Sequence, residues 1–293
     1  MPRTRTLTVD RDAPDPAALA EAAAVLRAGG LVAFATETVY GLGADATRVE
    51  AVQGIFAAKG RPSDNPLIVH VADVAMARRY AAAWPAAAAR LAELWPGPLT
   101  LVVPKAESIP AITSAGLLTV GLRVPVPAVA RELIAAAGVP LAAPSANRSE
   151  HVSPTRAEHV LADLAGRIDL VLDSGPTDVG IESTVVDLAG ELPRVLRPGP
   201  LTAERLAEHL GTRVEQGPTS GPAKSPGQRL RHYAPRTPAL RVGSLAELEP
   251  LLLGPDDAVL VVGQLAPSMP ARVIELPEPE IAAQSLYATL RAC

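Results

Sequence analysis

The chain has 293 residues, 48% hydrophobic and 20% charged, with a net charge of −4. This balance excludes an intrinsically disordered chain, which is apolar-poor and highly charged, and argues against a protein that coats nucleic acid by bulk electrostatics. Only 3% of residues are aromatic and the single cysteine is Cys293, so the core has to be aliphatic, and neither a disulfide framework nor a cysteine-rich metal site can form within one chain.

The first predicted element is an alanine-rich helix over Ala17–Ala28, stopped by Gly29 and Gly30. A short apolar strand follows at Leu31–Ala35, a helix at Val49–Ala58 and a strand at Leu67–Val71. Ala75–Leu94 reads as one or two helices split at Pro85; Leu99–Val103 and Leu118–Arg123 read as strands, Ala128–Ala137 as a helix, and Leu141–Ala143 as a short buried strand. Pro154–Leu164 reads as a helix with Ser153 as N-cap and Pro154 at its first position. Strands at Leu170–Asp173, Ser183–Asp187 and Pro193–Leu196 and a helix at Thr202–Leu210 complete the first unit. Glu215–Pro238 is rich in glycine and proline and has neither period, which is the pattern of a linker. It nevertheless carries Arg229, Arg231, His232 and Tyr233, which a passive linker does not need. Ala239–Val242, a helix near Leu245–Leu253, Ala258–Val262, Val273–Leu276 and a helix over Pro279–Arg291 form a small α/β unit. The expected domains are 1–213, a linker at 214–238, and 239–293. Alternating strands and helices give an α/β or α+β sheet fold. No apolar run reaches the ~20 residues of a membrane span, and the N-terminus lacks the hydrophobic core of a signal peptide, so a soluble, cytoplasmic protein is expected.

Five segments carry polar chemistry. Thr36–Ala46 places two threonines, a glutamate and a tyrosine ahead of Gly41-x-Gly43-x-x-Ala46. A dinucleotide fingerprint needs its glycines directly after a strand, and five residues intervene here. A glycine turn explains Gly41 and Gly43, while the clustered hydroxyls suit a small polar ligand. Lys59–His70 places Lys59 at a helix end, where it complements the dipole, and Arg61 on a turn held by prolines; together they make a rigid cationic pair suited to phosphate. His70, ending an apolar strand, reads first as a core residue. Arg123 lies in the apolar strand of Thr119–Pro125 and needs an anion, either a protein or a ligand carboxylate. Ala143–Ser149 follows a buried strand with small polar residues, at the strand end where open sheets bind ligands. Gly180–Asp187 and Arg197-Pro198-Gly199 bring Ser183 and a further arginine beside turns. Lys224-Ser225 is preceded by Ala223 where a P-loop requires glycine, and no Gly-x-Ser-x-Gly elbow or His-Glu-x-x-His helix occurs.

Thr36–Gly43, Lys59–His70, Thr119–Pro125, Pro144–Asn147 and Ser183–Arg197, in that order, resemble the threonylcarbamoyl-AMP synthases built on a YrdC-like domain, and Ser225–Pro235 resembles the linker of their two-domain form. The resemblance implies a YrdC-like twisted mixed sheet flanked by helices, with a small Rossmann-like C-terminal domain. It implies a nucleotidyltransferase that joins L-threonine, bicarbonate and ATP, with Mg2+, into threonylcarbamoyl-adenylate for the modification of tRNA beside the anticodon. Downstream, a tRNA threonylcarbamoyl transferase would take the product, so contact with tRNA would be indirect. By resemblance, threonine falls to Thr38, His70, Arg123, Ser183 and the backbone at Ala143, with Arg123 as carboxylate clamp. ATP falls to Lys59, Arg61, Asn65, Thr119, Ser145, Ser153, Arg197 and Tyr233, with Lys59 and Arg61 as phosphate cations; no residue is a covalent nucleophile and no protein ligand is assigned to the metal. Ser225–Pro235 is expected to close over the nucleotide. The resemblance also implies a longer second domain than residues 239–293 supply. The alternatives are a double-stranded RNA-binding module of the same domain type and a carbamoyl-transfer enzyme.

Overall fold

The computed structural model describes residues 3–217, 234–235, 237–247, 250–251, 253–262, 271–276 and 278–293. In chain order they form β1 (Arg5–Thr8), α1 (Pro16–Arg27), β2 (Val32–Ala35), β3 (Tyr40–Asp45), α2 (Val49–Lys59), β4 (Ile68–His70), α3 (Val74–Arg79), α4 (Ala86–Leu91), β5 (Leu99–Pro104), β6 (Thr119–Arg123), α5 (Ala128–Ala137) and β7 (Leu141–Ala142). Then follow α6 (Ala157–Leu164), β8 (Leu170–Asp173), β9 (Thr184–Asp187), β10 (Arg194–Arg197), α7 (Ala203–Leu210), β11 (Glu215–Gln216), β12 (Ala258–Val262), β13 (Arg272–Leu276) and α8 (Pro279–Ala292).

Local chemistry sets these boundaries. Asp15 caps α1 by accepting the Ala17 N–H, Pro16 opens the helix, and Leu19, Ala22, Ala23 and Leu26 form its buried face against α5. Gly60 and Gly138 end α2 and α5 in the left-handed conformation that glycine adopts without penalty. Eleven strands make one mixed sheet in the order β1-β8-β2-β3-β7-β4-β6-β5-β9-β10-β11. Its central strands are buried on both faces, as the Val-Ala-Phe-Ala run of β2 requires. The core is aliphatic, with Phe34 and Tyr40 as its largest fully buried side chains.

Several expectations change. β1 and β3 are strands that the sequence reading omitted. Gly41 and Gly43 lie in β3, antiparallel to β2, and not in a turn. A Cβ on Gly43 would sit 2.8 Å from Phe34 Cε1, so the glycine makes room for a ring. Ala75–Leu94 divides into α3, α4 and a short 3-10 turn at Ala92–Leu94. The helix expected from Pro154 begins at Ala157. Ser153 is not its cap: the cap position is Arg156, and the Ser153 hydroxyl is engaged with Glu182 instead. In the C-terminal unit β12 and β13 run parallel and α8 packs beside β13. Ala239–Val242 is irregular, and Leu245–Glu247 forms a single 3-10 turn.

Candidate active site

β4 and β6 are parallel neighbours, and their register pairs His70 with Arg123. Ile68 and His70, two residues apart on one strand, share a sheet face, and both line the same cavity with Arg123. The cavity therefore lies across a face of the mixed sheet, where the sequence reading expected strand ends. Thr38 and Val39 enter from the β2–β3 loop, Ala143 and Ser145 from the segment after β7, Ser183 from the residue before β9, Arg197 from the end of β10, and Arg61 from the turn after α2.

Each polar group on the expected threonine side is buried and most are held in place. Thr36 Oγ1 donates to Val39 O at 2.7 Å and lies 2.8 Å from Thr38 Oγ1. The single Thr36 proton is thus used, so the Thr38 hydroxyl donates to Thr36 and keeps its lone pairs for a donor in the cavity. Ser183 Oγ lies 2.8 Å from Thr100 Oγ1 and accepts Arg197 Nη2 at 3.0 Å, while Arg197 Nε donates to Ser183 O at 3.1 Å. His70 is 3% exposed, meets the Phe34 ring edge-on, and its Nδ1 has no hydrogen-bond partner. Burial, with the Arg123 charge beside it, pushes its pKa down to about 3, so the ring is neutral at pH 7. Arg123 Nη2 lies 2.7 Å from Glu37 Oε1, and Glu37 Oε2 accepts the Val126 N–H at 3.0 Å. The anion required by a buried arginine is therefore partly supplied by the protein.

The residues expected to hold ATP separate into groups. Arg61, Ser145 and Arg197 line the cavity. Arg61 donates to Asn65 O and Pro66 O, so Asn65 meets it through its main-chain carbonyl. Thr119 lines an adjoining narrower cleft with Leu67, Thr100 and Gly121, which shares Ile68 with the first. Lys59 lies beneath the 145–147 segment, 3% exposed, and donates to Ser145 O, Asn147 O and Asn147 Oδ1. Burial and then the Arg61 charge pull its pKa well below the usual lysine value, opposed by Asp163; three carbonyl-type acceptors match the three N–H bonds of an ammonium. Ser153 is fully buried and donates to Glu182 Oε1 at 2.6 Å. Tyr233, and Ser225–Pro235 apart from Ala234 and Pro235, lie outside the described residues. Ala234 N donates to Glu150 O at 2.8 Å.

Four residues entered no expected site. Glu37 pairs with Arg123, Thr100 with Ser183, Glu182 with Ser153, and Tyr287 of α8 donates to Glu182 Oε2 at 2.6 Å. Glu37 and Glu182 were visible as acids beside Thr38 and Ser183. Tyr287 had no local signal.

The segments that build this cavity fall within residues 24–199, which match a family model of the Sua5/YciO/YrdC type described as "telomere recombination"; residues 201–293 match a second, described as the C-terminal domain of threonylcarbamoyl-AMP synthase. The chain is 45% identical over 240 residues to a threonylcarbamoyl-AMP synthase of Bacillus subtilis, covering 80% of this chain and 69% of the relative. It is 47% identical over 219 residues to one of Pyrococcus abyssi, covering 73% and 64%. The crystal structure of P. abyssi Sua5 complexed with L-threonine superposes with a TM-score of 0.88 at 39% identity, covering 99% of this chain and 88% of that one. E. coli YciO, at 21% identity and a TM-score of 0.62, shares the fold of the first unit. The aligned stretches span about two thirds of the two synthases' lengths. The chain belongs to the threonylcarbamoyl-AMP synthase family.

Proposed function

We propose that the chain condenses L-threonine, bicarbonate and ATP into threonylcarbamoyl-AMP and pyrophosphate, supplying a tRNA-modifying transferase in the cytoplasm. The observation that carries this reading is the meeting, in one buried cavity, of an arginine clamp, a neutral histidine, two fixed hydroxyls and two further arginines. The crystallised relative's complex with L-threonine gives independent support.

In this reading Arg123, oriented by Glu37, receives the threonine carboxylate. Thr38 Oγ1, His70 Nδ1 and Ser183 Oγ surround the amine and the side-chain hydroxyl. The amine nitrogen, having lost a proton, bonds the bicarbonate carbon and water leaves, giving a carbamate. A carbamate oxygen then bonds the α-phosphorus, and the bond from that phosphorus to the bridging oxygen breaks, with pyrophosphate taking the electron pair. Arg61 and Arg197 stand over the triphosphate, while Lys59 holds the 145–147 segment that carries Ser145. No side chain forms a covalent bond, so the rate enhancement rests on positioning and electrostatics. Glu182 is the one carboxylate on the cavity wall among the described residues, and it is engaged by two hydroxyls. This donor set fits Mg2+ carried on the ATP phosphates, where it would neutralise charge as a Lewis acid.

The test is incorporation of isotope-labelled bicarbonate into an adenylate. Label in a product that requires both threonine and ATP is expected. Label appearing without threonine, or none at all, would reject the reading.

A further inference from the structure

α8 belongs to the C-terminal unit, yet it seats against the wall of the cavity. Tyr287 packs with Val39 and Val152, flanked by Leu286 and Leu290. Gly180, at φ +74, faces the α8 backbone so closely that a Cβ there would lie 2.4 Å from Gln284 O. At this contact a polar chain runs into the site: Tyr287 Oη donates to Glu182 Oε2 at 2.6 Å, and Ser153 Oγ donates to Glu182 Oε1 at 2.6 Å. From the same helix Arg291 donates to Val152 O and to Asp163 Oδ2, the latter at 2.8 Å. The helix thus grips Ser153 through its hydroxyl's acceptor, through its own carbonyl, which accepts Arg291 Nε at 3.4 Å, and through the carbonyl before it. The other side of Glu182 is independent, because Ser183 is fixed by Thr100 and Arg197.

Building on the proposed function, we infer that Tyr287 is a positioning residue for the nucleotide: its O–H fixes Glu182 on the cavity wall, and Glu182 fixes the hydroxyl of Ser153, the residue that the family resemblance assigns to ATP. The chemistry gives the reason. A carboxylate on the wall of a triphosphate site repels its ligand unless donors hold and partly neutralise it. Two hydroxyls, one from each unit, hold both of its oxygens. Through this hydrogen-bond chain the C-terminal unit then completes the ATP subsite, whereas its contact with the threonine side is the apolar packing of Tyr287 on Val39.

The decisive variant is Tyr287→Phe, which keeps the ring in its apolar cluster and deletes the donor. In the full chain the KM for ATP should rise roughly five- to tenfold, the scale of one hydrogen bond of ordinary net strength, since the lost bond reaches the nucleotide only through Glu182 and Ser153. The KM for threonine and kcat should stay within about twofold, and the melting temperature should fall by no more than roughly 6 °C, the loss of one hydrogen bond. In a Ser153→Ala background the same change should add less than about twofold, because the effect runs through Ser153. An unchanged ATP KM, an equal rise for threonine, or full multiplication of the two effects would overturn the inference. If Tyr287→Phe melts early, calorimetric ATP affinity measured well below its transition decides the same question. A wild-type chain that binds ATP but makes no product overturns the proposed function alone, since ATP affinity still tests Tyr287. A wild-type chain that binds no ATP overturns both.

Discussion

Replacing Arg123 by methionine removes one half of a buried ion pair. Its side chain is 5% exposed and that of Glu37 4%, with 2.7 Å between nitrogen and oxygen. Breaking such a pair from one side leaves a buried charge without compensation and costs about 3–5 kcal/mol. For a cooperative unit of this size each kcal/mol shifts the melting temperature by roughly 2–4 °C, so a fall of about 6–20 °C is expected. In the double variant Glu37→Gln/Arg123→Met neither charge of the pair remains, and the Gln oxygen can still accept the Val126 N–H. Its stability should return to within about 1–2 kcal/mol of wild type, because a neutral replacement of a buried pair is often tolerated. Threonine use behaves differently. Both Arg123 variants lack the carboxylate clamp, and each should show a threonine KM raised at least about tenfold, the loss of a charge-assisted hydrogen bond. Thermal melts and steady-state kinetics on the four proteins of the cycle separate the two roles of Arg123. An Arg123→Met protein that melts with wild type, or a double variant that uses threonine normally, would refute the reasoning.

Three further outcomes follow from the same geometry. Lys59→Met strands the carbonyls of Ser145 and Asn147, and should cost about 1–3 kcal/mol while raising the ATP requirement; denaturant unfolding and ATP titration check both. Gly199→Ala would place a Cβ 2.4 Å from the Thr184 backbone nitrogen and 2.7 Å from Glu182 O; backbone cannot yield like a flexible side chain, so destabilisation of about 1–3 kcal/mol is expected, with loss of turnover as Ser183 and Arg197 shift. His70 has a folded pKa near 3, below its ordinary 6.5, so the unfolded chain takes up the proton first as pH falls. The His70 contribution is therefore fully present above about pH 6.5 and is lost between there and about pH 3. Urea unfolding of wild type and His70→Gln across that range should show their difference changing in this window and constant above it; a constant difference throughout would contradict a buried neutral ring.

Much of the site was legible because polar residues end or flank apolar strands. His70, Arg123 and Arg197 each end an apolar strand, Thr38, Ser145 and Ser183 stand in short polar segments beside strands, and the fold brings all six to one cavity. β3 was hidden because two glycines imitate a turn; they are needed because Phe34 and Ala143 pack against them, a contact that only the folded sheet creates. Lys59 carried the charge expected of a phosphate ligand, but local sequence could not show that the 145–147 segment would fold over it. Ser153 before Pro154 has the form of a cap, yet the helix starts at Ala157 and the hydroxyl turns to Glu182. The Tyr287–Glu182 contact joins residues 105 positions apart, beyond the reach of any periodicity. Glu37 was read only as part of a polar cluster, because pairing it with Arg123 requires the folded sheet to bring the β2–β3 loop to the end of β6.

The central claim is that this cavity couples threonine to nucleotide chemistry. Pyrophosphate release from ATP, measured with and without L-threonine at fixed bicarbonate and Mg2+, tests it most directly. The account predicts release that depends on threonine, saturates with it, and needs higher threonine in Arg123→Met. Release at the same rate without threonine, or saturation unchanged in Arg123→Met, would contradict it.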